Sequence, residues 1–300
     1  MTEEDRRDVA IIGPGRVGTA LGALYARHGG RIVAVGGRNL EKAAEAARRI
    51  GSGARACDIC SAARAASNII LSVADDAIAD VCAAISQTCG FMPGAVLVHC
   101  SGALSSADLH DAVLPGAFEL GSMHPLQTFP TVDAAIAKLP GAYCFHEGTD
   151  KANEFVTGFA QIVGMIPIPI RREQKVLYHA SATMASNYLV ALIDAAIKTG
   201  TPSGVDRQTF WRALKPLIEA TLENVDSLGT AAALTGPIAR GDIGTVQKHL
   251  GALQRECPDN SALYRELGLV AASIAFERKS ISEERYNAIV ALLKGRDGGA

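Results

Sequence analysis

The feature that most constrains this chain is a glycine-rich turn directly after its first apolar run. Residues 9–12 are Val-Ala-Ile-Ile, and they lead straight into Gly13-Pro14-Gly15-Arg16-Val17-Gly18, a G-x-G-x-x-G pattern. In a βαβ unit the first glycine permits a tight turn, the second lets the backbone approach a pyrophosphate, and the third lets the helix pack on the strand. We therefore predict a dinucleotide-binding site formed by all six residues of the turn; the alternative is an ordinary glycine-rich βα turn.

The end of the second strand indicates which dinucleotide is bound. The second predicted strand, residues 31–35, is followed by residues 36–39, which include Arg38 and Asn39, and no carboxylate follows until Glu41. An NAD site usually has an acidic residue about 20 residues after the glycine motif, whereas an NADP site has a cation there for the 2′-phosphate. The guanidinium of Arg38 fits a phosphate, and Asn39 can both line the site and cap the next helix. NADP(H) is favoured over NAD(H), with a solvated loop arginine as the alternative for Arg38.

The composition fits a two-domain protein and argues against two classes of partner. With 300 residues, 48% of them hydrophobic, the chain can form two domains with a core each. A net charge of −2 with no basic stripe gives no support for nucleic-acid binding. The N-terminus is charged, unlike a signal peptide, and no apolar run approaches the roughly 18 residues of a membrane span. We expect a cytoplasmic protein that binds neither nucleic acid nor membrane.

Seven cysteines are spread over the chain, at positions 57, 60, 82, 89, 100, 144 and 257. An odd number in a chain expected to be cytoplasmic argues against a disulfide framework. Cys57 and Cys60 form a C-x-x-C pair where a strand should enter a helix, so a redox motif is a minor alternative. No Cys/His cluster has the spacing of metal ligands, and we predict no metal site.

Strand and helix patterns alternate through the first half of the chain, and helical patterns follow. This order predicts an α/β fold, with a Rossmann domain built on a doubly wound sheet over residues 1–170 and an all-helical domain over residues 171–300. The prolines of the run 166–170 restrict that strand to a sheet edge. The second half should begin with one long helix over 173–199, and Pro216 should kink or split the next helix.

Ligands of an open α/β sheet bind beyond the carboxyl ends of its strands, so residues at those ends are site candidates. After the fourth strand, Val73 and Ala74 should lie along the cofactor ribose. Asp75 and Asp76, which come next, are favoured as helix caps over catalytic acids. After the fifth strand, the Ser101 hydroxyl can reach both the nicotinamide and the substrate, and a turn or cap role is the alternative.

Two further segments carry polar candidates. In the segment 121–129, Gly-Ser-Met-His-Pro-Leu-Gln-Thr-Phe, the proline holds His124 extended at a strand end. A histidine that titrates near neutrality could act there as the acid or base of hydride chemistry, and a satisfied core histidine is the alternative. On the long helix, Lys175, His179 and Ser186 form a polar stripe that faces either the cleft or solvent, and we favour the cleft.

Four strings that span most of the chain together resemble one known family. They are His99-Cys-Ser-Gly-Ala, the segment 121–129, Tyr178-His179-Ala with Ala185-Ser-Asn187, and Thr235-Gly-Pro-Ile-Ala-Arg240-Gly-Asp242. The resemblance is to the Rossmann-like family whose C-terminal part is the domain of unknown function 2520, within the 6-phosphogluconate dehydrogenase-like superfamily. It implies a helical domain like the C-terminal domain of that dehydrogenase, an NADP-dependent oxidoreductase without a settled substrate, and a homodimer formed through the helical domain.

Resemblance to two related groups of dehydrogenases implies roles for individual residues of this chain. Prephenate dehydrogenases are similar in placing a serine after the corresponding strand and a catalytic histidine before a proline, which match Ser101 and His124. β-Hydroxyacid dehydrogenases use a lysine with an asparagine one helical turn later. Lys175 resembles that lysine, but His179 stands at the asparagine position, which weakens the transfer of their mechanism. Weaker expectations of substrate contact fall on Gln127, Asn187 and Arg240, with a structural turn as the alternative for the last.

These observations predict an NADP(H)-dependent oxidoreductase that acts on a small anionic carbonyl, imine or hydroxy compound. His124 is the expected acid or base, and Ser101 with Lys175 or His179 is expected to orient the substrate. The alternative function is a non-catalytic NADP(H)-binding regulatory or sensor protein.

Overall fold

The computed structural model describes residues 8–51, 53–112 and 118–295 of the chain. Contacts between residues divide the chain into two compact units, of which the first ends at Ala185 and the second begins at Ser186. This division lies later than the domain boundary at residue 170 expected from the sequence pattern. The reason is that Lys175, on the helix after that boundary, is buried within the first unit.

Eight strands form one sheet in the first unit. In chain order they are β1 Asp8–Ile12, β2 Arg31–Gly36, β3 Arg55–Cys57, β4 Asn68–Leu71, β5 Val96–His99, β6 Glu119–Pro125, β7 Tyr143–Gly148 and β8 Ile166–Pro169. Their order across the sheet is β3-β2-β1-β4-β5-β6-β7-β8. All neighbours are parallel except β6 and β7, which are antiparallel.

Helices cover both faces of this sheet. They are α1 Arg16–Arg27, α2 Leu40–Ile50, α3 Ile59–Ala63, α4 Ile78–Thr88, α5 Val132–Lys138 and α6 Asp150–Val163; a further helix, α7 Lys175–Ala185, follows the last strand. Successive residues of a strand point to opposite faces. Ile11 accordingly belongs to the core formed with α1, α2 and α6, whereas Ile12 belongs to the core formed with α3 and α4. The doubly wound α/β sheet predicted from the sequence is therefore confirmed.

The register of the parallel strands aligns their carboxyl ends. Ile12 of β1 pairs with Gly36 of β2 and with Leu71 of β4. Leu71 pairs with His99 of β5, and His99 pairs with Ser122 of β6. We call this row the carboxyl edge of the sheet. Because it gathers the turns after β1, β2, β4 and β5, it is the place where a ligand of this fold binds.

The last strand is an edge strand, as its prolines predict. Strand β8 carries Pro167 and Pro169 and pairs with β7 on one side, at the end of the sheet order. A proline cannot donate a ladder hydrogen bond, so this sequence fits only where one side of the strand has no neighbour.

The sequence argues against a disulfide framework, and the structure joins one pair of cysteines. Cys60 of α3 and Cys89, just after α4, are joined by a disulfide, and their Cα atoms lie 5.9 Å apart. They are 29 residues apart in sequence, so their closeness depends on α3 lying beside α4, which a cysteine count cannot show. Cys57 is a free thiol, and burial is the main cause that raises its pKa. A raised pKa disfavours the thiolate that a Cys57–Cys60 redox motif would need.

The described residues of the second unit form helices and short turns around a small apolar core. The helices are α8 Asn187–Gly200, α9 Arg207–Ala233, α10 Ile243–Glu256, α11 Ser261–Glu277 and α12 Glu283–Leu293. Val246, Ala272 and Ile289 are fully buried at the centre of this core. The predicted helical character of the second half is confirmed.

Two details of these helices differ from the sequence expectation. The pattern over 173–199 is divided at Ser186, where α7 ends and α8 begins. Pro216 lies inside α9 without a non-helical backbone angle, whereas the interruption of that helix falls at Gly229, with φ 75° and ψ 164°. Glycine adopts that positive φ without a Cβ clash, so the backbone breaks there rather than at the proline.

By length and composition alone, the helical run Arg172–Ser203 could cross a membrane, which the sequence reading excluded. It has 32 residues and an 18-residue window of mean hydropathy 1.3. Charged groups argue against that use. Lys175 is buried inside the first unit, and Asp194 forms ion pairs with Lys198 and Arg207. Charged side chains at such positions are costly in a bilayer core.

Candidate functional site

The glycine-rich turn at the start of α1 has one closed side and one open side. Gly13 has φ +103°, and a Cβ atom there would lie 2.7 Å from the carbonyl carbon of Ser72. A Cβ atom on Gly18 would collide with the Ser72 hydroxyl, which itself donates to the Gly13 carbonyl at 2.7 Å. Around Gly15, which is exposed, nothing lies closer than 3.8 Å to the Cβ position. The backbone is therefore bare on its outer side, where a pyrophosphate could approach it.

The helix behind this turn begins without a side-chain cap. Gly15 is the N-cap residue of α1 and offers no side chain to the first N–H groups. These groups have no partner inside the helix and favour an anion. Of the neighbouring candidates, Arg16 donates to the Pro130 carbonyl at 3.1 Å, and Val17 packs against the core. Pro14 lies against Gly37, at the end of β2.

After β2, the side chain of Asn39 caps a helix, whereas the side chain of Arg38 is exposed. The side chain of Asn39 accepts a hydrogen bond from the Lys42 N–H at 2.9 Å, which confirms it as the cap of α2. Arg38 is exposed and forms no ion pair with any residue that the structure describes. A guanidinium in this state is free to meet a phosphate.

The hydroxyl of Ser101, after β5, makes three hydrogen bonds. It donates to Oδ2 of Asp75 at 2.7 Å and accepts from the N–H groups of Ala103 and Leu104 at 3.2 and 3.0 Å. This is the turn role weighed for Ser101, and its contact with substrate stays a prediction. Asp75 is not the helix cap that the sequence favoured, because its carboxylate instead holds Ser101. It thus joins the turn after β4, which includes Val73 and Ala74, to the turn after β5.

His124, on β6, is the centre of a group of rings at the carboxyl edge. Its Nδ1 lies 2.8 Å from the hydroxyl of Tyr178, and its ring centroid lies 5.7 Å from that of His179. The Nε2 atom faces Gly102, where an added Cβ would lie 2.9 Å from it and would collide with the His179 ring. We call Gly102, His124, Tyr178 and His179 the His124 cluster.

The protonation of the His124 cluster differs from the sequence expectation. Burial, followed by the charges of Lys175 and His179, lowers the pKa of His124 to about 4. The imidazole is therefore neutral at pH 7 rather than titrating near neutrality. Burial also raises the pKa of Tyr178, so its phenol keeps its proton. A phenol that donates to Nδ1 leaves the His124 proton on Nε2, which faces Gly102.

A buried polar network lies beside this cluster. Lys175 donates from Nζ to the Ser122 hydroxyl, which in turn donates to Oε1 of Glu147. Glu147 also accepts from the N–H and the hydroxyl of Ser106, both at 2.7 Å, and from Nε of Arg172 at 3.3 Å. Lys175 is 1% exposed and Glu147 is 4% exposed. Each charged group of the pair thus has at least one fixed hydrogen-bond partner in place of solvent.

Charge in this network is set by burial and hydrogen bonds. Burial lowers the pKa of Lys175 to about 8, against the opposing charge of Glu147. Burial alone would raise the pKa of Glu147, but the hydrogen bonds from Ser122 and Ser106 leave it below its ordinary value. At pH 7 the lysine is mostly an ammonium and the glutamate a carboxylate. The ammonium in turn contributes to the low pKa of His124.

Sequence reasoning found some of these residues and missed others. It named His124, Lys175 and His179, which the structure brings to one edge. It missed Tyr178 and Glu147 as site residues. Tyr178 could have been found from its spacing. It comes three residues after Lys175, and residues three apart on a helix lie on the same face. Glu147 gives no local signal, because it meets Ser122 only through the antiparallel register of β6 and β7.

The three weaker substrate candidates are not part of the His124 cluster. Gln127 is exposed, and its Oε1 accepts from the Thr128 N–H at 2.8 Å. Asn187 and Arg240 belong to the second unit, where both are exposed. Their contact with a substrate stays a prediction.

Family models match both parts of the chain. The model of a Rossmann-like domain matches residues 2–125. The model described as Domain of unknown function (DUF2520) matches residues 142–271. No curated protein is similar to the chain in sequence.

Several solved structures share the fold along nearly the whole chain. Protein TM1727 from Thermotoga maritima is 23% identical, with a TM-score of 0.71 over 90% of this chain and 99% of that chain. Plasmodium falciparum pyrroline carboxylate reductase with NADP bound is 15% identical, with a TM-score of 0.56 over 95% and 97%. A reductive aminase from Aspergillus terreus, in complex with NADPH4, cyclohexanone and allyl amine, is 19% identical, with a TM-score of 0.59 over 96% and 92%. Such likenesses establish the fold.

Proposed function

Because the chain belongs to the family that joins a Rossmann-like domain to the Domain of unknown function (DUF2520), we propose that it is an NADP(H)-dependent oxidoreductase. Its substrate would be a small carbonyl, imine or hydroxy compound that carries an anionic group. One observation supports this most: the bare glycine turn after β1 and the His124 cluster lie along the same carboxyl edge. Two structural neighbours were solved with NADP and with NADPH4.

The residues present fit the cofactor. The turn at Gly13 and Gly18 has no room for side chains, and Gly15 leaves the backbone open to a pyrophosphate. Arg38 would bind the 2′-phosphate, since it follows β2 and has no ion pair among the residues described. Val73 and Ala74, after β4, would lie along the ribose. When bound, the nicotinamide supplies or accepts a hydride.

The chain's own part in the reaction is to place a proton and a charge. His124 would present its Nε2–H to the oxygen or nitrogen of the substrate, held in orientation by Tyr178 at Nδ1. Reduction of a carbonyl builds negative charge on its oxygen. The buried ammonium of Lys175 would stabilise that charge, because its field already acts on His124. His179 would close one side of the cluster.

Replacement of Arg38 tests the cofactor preference. We expect Arg38→Ala to weaken NADPH binding by at least about 10-fold and to leave NADH binding unchanged, because only NADPH carries the phosphate that the guanidinium would bind. Titration calorimetry with each coenzyme measures both affinities. Arg48→Ala, which removes an exposed arginine at the far end of α2, is the control and should change neither. Equal losses for NADPH and NADH in Arg38→Ala would contradict the assignment.

Turnover tests the class of activity. The protein should oxidise NADPH when mixed with keto acids or cyclic imines, which the loss of NADPH absorbance measures. Tight NADPH binding without turnover of any compound would instead favour the regulatory or sensor protein.

We also propose that two copies of the chain pair through the helical unit. None of the described residues of α9 is buried. Three of its leucines, Leu217, Leu222 and Leu228, are more than half exposed. Exposed apolar area of this extent usually marks an interface. Sedimentation equilibrium should give twice the mass of one chain, and Leu217→Glu with Leu222→Glu should shift the protein toward one chain. A wild-type protein with the mass of one chain at micromolar concentration would exclude the pairing.

A further inference from the structure

The contact between Glu147 and Ser122 fixes how the Lys175 amine is held. The two residues stand opposite each other in the antiparallel register of β6 and β7. A carboxylate can only accept hydrogen bonds, so the single proton of the Ser122 hydroxyl must point to Glu147. The oxygen lone pair of Ser122 is then left for Lys175, whose Nζ must donate to it. The direction of this chain of hydrogen bonds is therefore determined.

Glu147 is held as a carboxylate from several sides. Ser106 donates to it twice, and Arg172 donates from its half-exposed guanidinium. None of these contacts would favour the protonated acid. A permanent negative charge therefore lies one hydroxyl group away from Lys175.

Lys175 needs such a partner because it is almost fully buried. Burial favours the neutral amine, and Glu147 is the largest influence in the opposite direction. The other titratable groups that face the amine are Asp75, Cys100 and Cys144, which favour its charge, and His99 and His124, whose pKa values are lowered by burial and by the lysine. Both histidines are thus neutral at pH 7 and add no opposing charge.

We propose that Glu147, acting through the hydroxyl of Ser122, is the positioning residue that keeps Lys175 charged and directs its remaining N–H groups to the carboxyl edge. The use of this charge, to stabilise negative charge on a substrate, rests on the proposed oxidoreductase function. The charge itself does not, since it follows from contacts within the first unit. Glu147 touches neither substrate nor cofactor in this account.

Titration of the Lys175 amine in the cofactor-free protein tests the inference. Nitrogen NMR of labelled lysine amino groups, with the Lys175 signal assigned by its loss in Lys175→Met, gives the titration midpoint. We expect Glu147→Gln to lower this midpoint by at least about one pH unit, because the amide keeps the shape but removes the charge. Glu119→Gln is the matched control, since Glu119 is a carboxylate of the same sheet that pairs with the exposed Lys151. It should leave the midpoint unchanged.

The outcomes separate this inference from the proposed function. A fall of less than about one unit in Glu147→Gln would overturn the inference, even if NADPH binds and is oxidised. If Glu147→Gln does not fold, Ser122→Ala decides. A fall of at least about half a unit supports the inference, because the hydroxyl that accepts from the ammonium is gone, and a smaller change overturns it. Failure of NADPH to bind would instead count against the function and leave this titration untouched.

Discussion

Replacement of His124 by alanine should reduce turnover by about 10²- to 10³-fold, the usual loss when a hydrogen-bond donor to a developing negative charge is removed. The expected affinity for NADPH is nearly unchanged, because the coenzyme would be held at the glycine turn and Arg38. Steady-state oxidation of NADPH with any compound that the wild type reduces gives the first quantity, and calorimetry gives the second. Unchanged turnover in His124→Ala would remove this residue from the mechanism.

Two further variants show whether the loss of turnover is specific to His124. His28→Ala removes an exposed histidine at the end of α1 and should leave turnover at the wild-type level. Tyr178→Phe keeps the ring that packs against Phe145 but removes the hydroxyl at Nδ1. We expect an intermediate loss of about 10-fold from Tyr178→Phe, since the imidazole would remain but lose the bond that orients it.

Removal of the Glu147 side chain should have the largest effect on stability. Glu147→Ala leaves the Lys175 ammonium without its counter-charge and takes a partner from Ser106, Ser122 and Arg172. Leaving a buried charge uncompensated in this way typically costs about 3–5 kcal/mol. Urea unfolding at pH 7, followed by circular dichroism, measures the free energy of unfolding.

The controls separate burial from charge. Glu119→Ala, which breaks the exposed pair with Lys151, should cost less than about 1 kcal/mol. The double variant Glu147→Ala/Lys175→Met should recover part of the loss, because no uncompensated charge then remains buried. If Glu147→Ala is no less stable than Glu119→Ala, the network does not contribute what its burial implies.

Local patterns were sufficient to predict most of the fold. The apolar run before Gly13 predicts β1, and the side chain of Asn39 caps α2 as expected. The prolines of residues 166–170 place β8 at an edge. These features depend only on backbone chemistry within a few residues, which a sequence displays directly. The interruption of α9 at Gly229 rather than Pro216 shows the limit, since the sequence contains two helix breakers and does not show which of them interrupts the helix.

The site was less predictable because its partners are far apart in sequence. His124 and Lys175 were found from their positions at a strand end and on a polar helix stripe. The contact of Ser122 with Glu147 needs the antiparallel pairing of β6 and β7, which no local pattern displays. The bond from Ser101 to Asp75 and the disulfide from Cys60 have the same origin in tertiary packing.

The prolines of β8 also limit how copies of this protein can associate. Ile166 and Ile170 donate inward, to the carbonyls of Ala142 and His146, both at 2.9 Å. The alternate positions, Pro167 and Pro169, therefore face outward, where they offer no amide proton to an incoming chain. The opposite border is the three-residue strand β3, too short to template another molecule. Growth of the sheet from one molecule to the next is thus disfavoured at both borders, which leaves helical surfaces as the route to assembly and protects against fibrous aggregation.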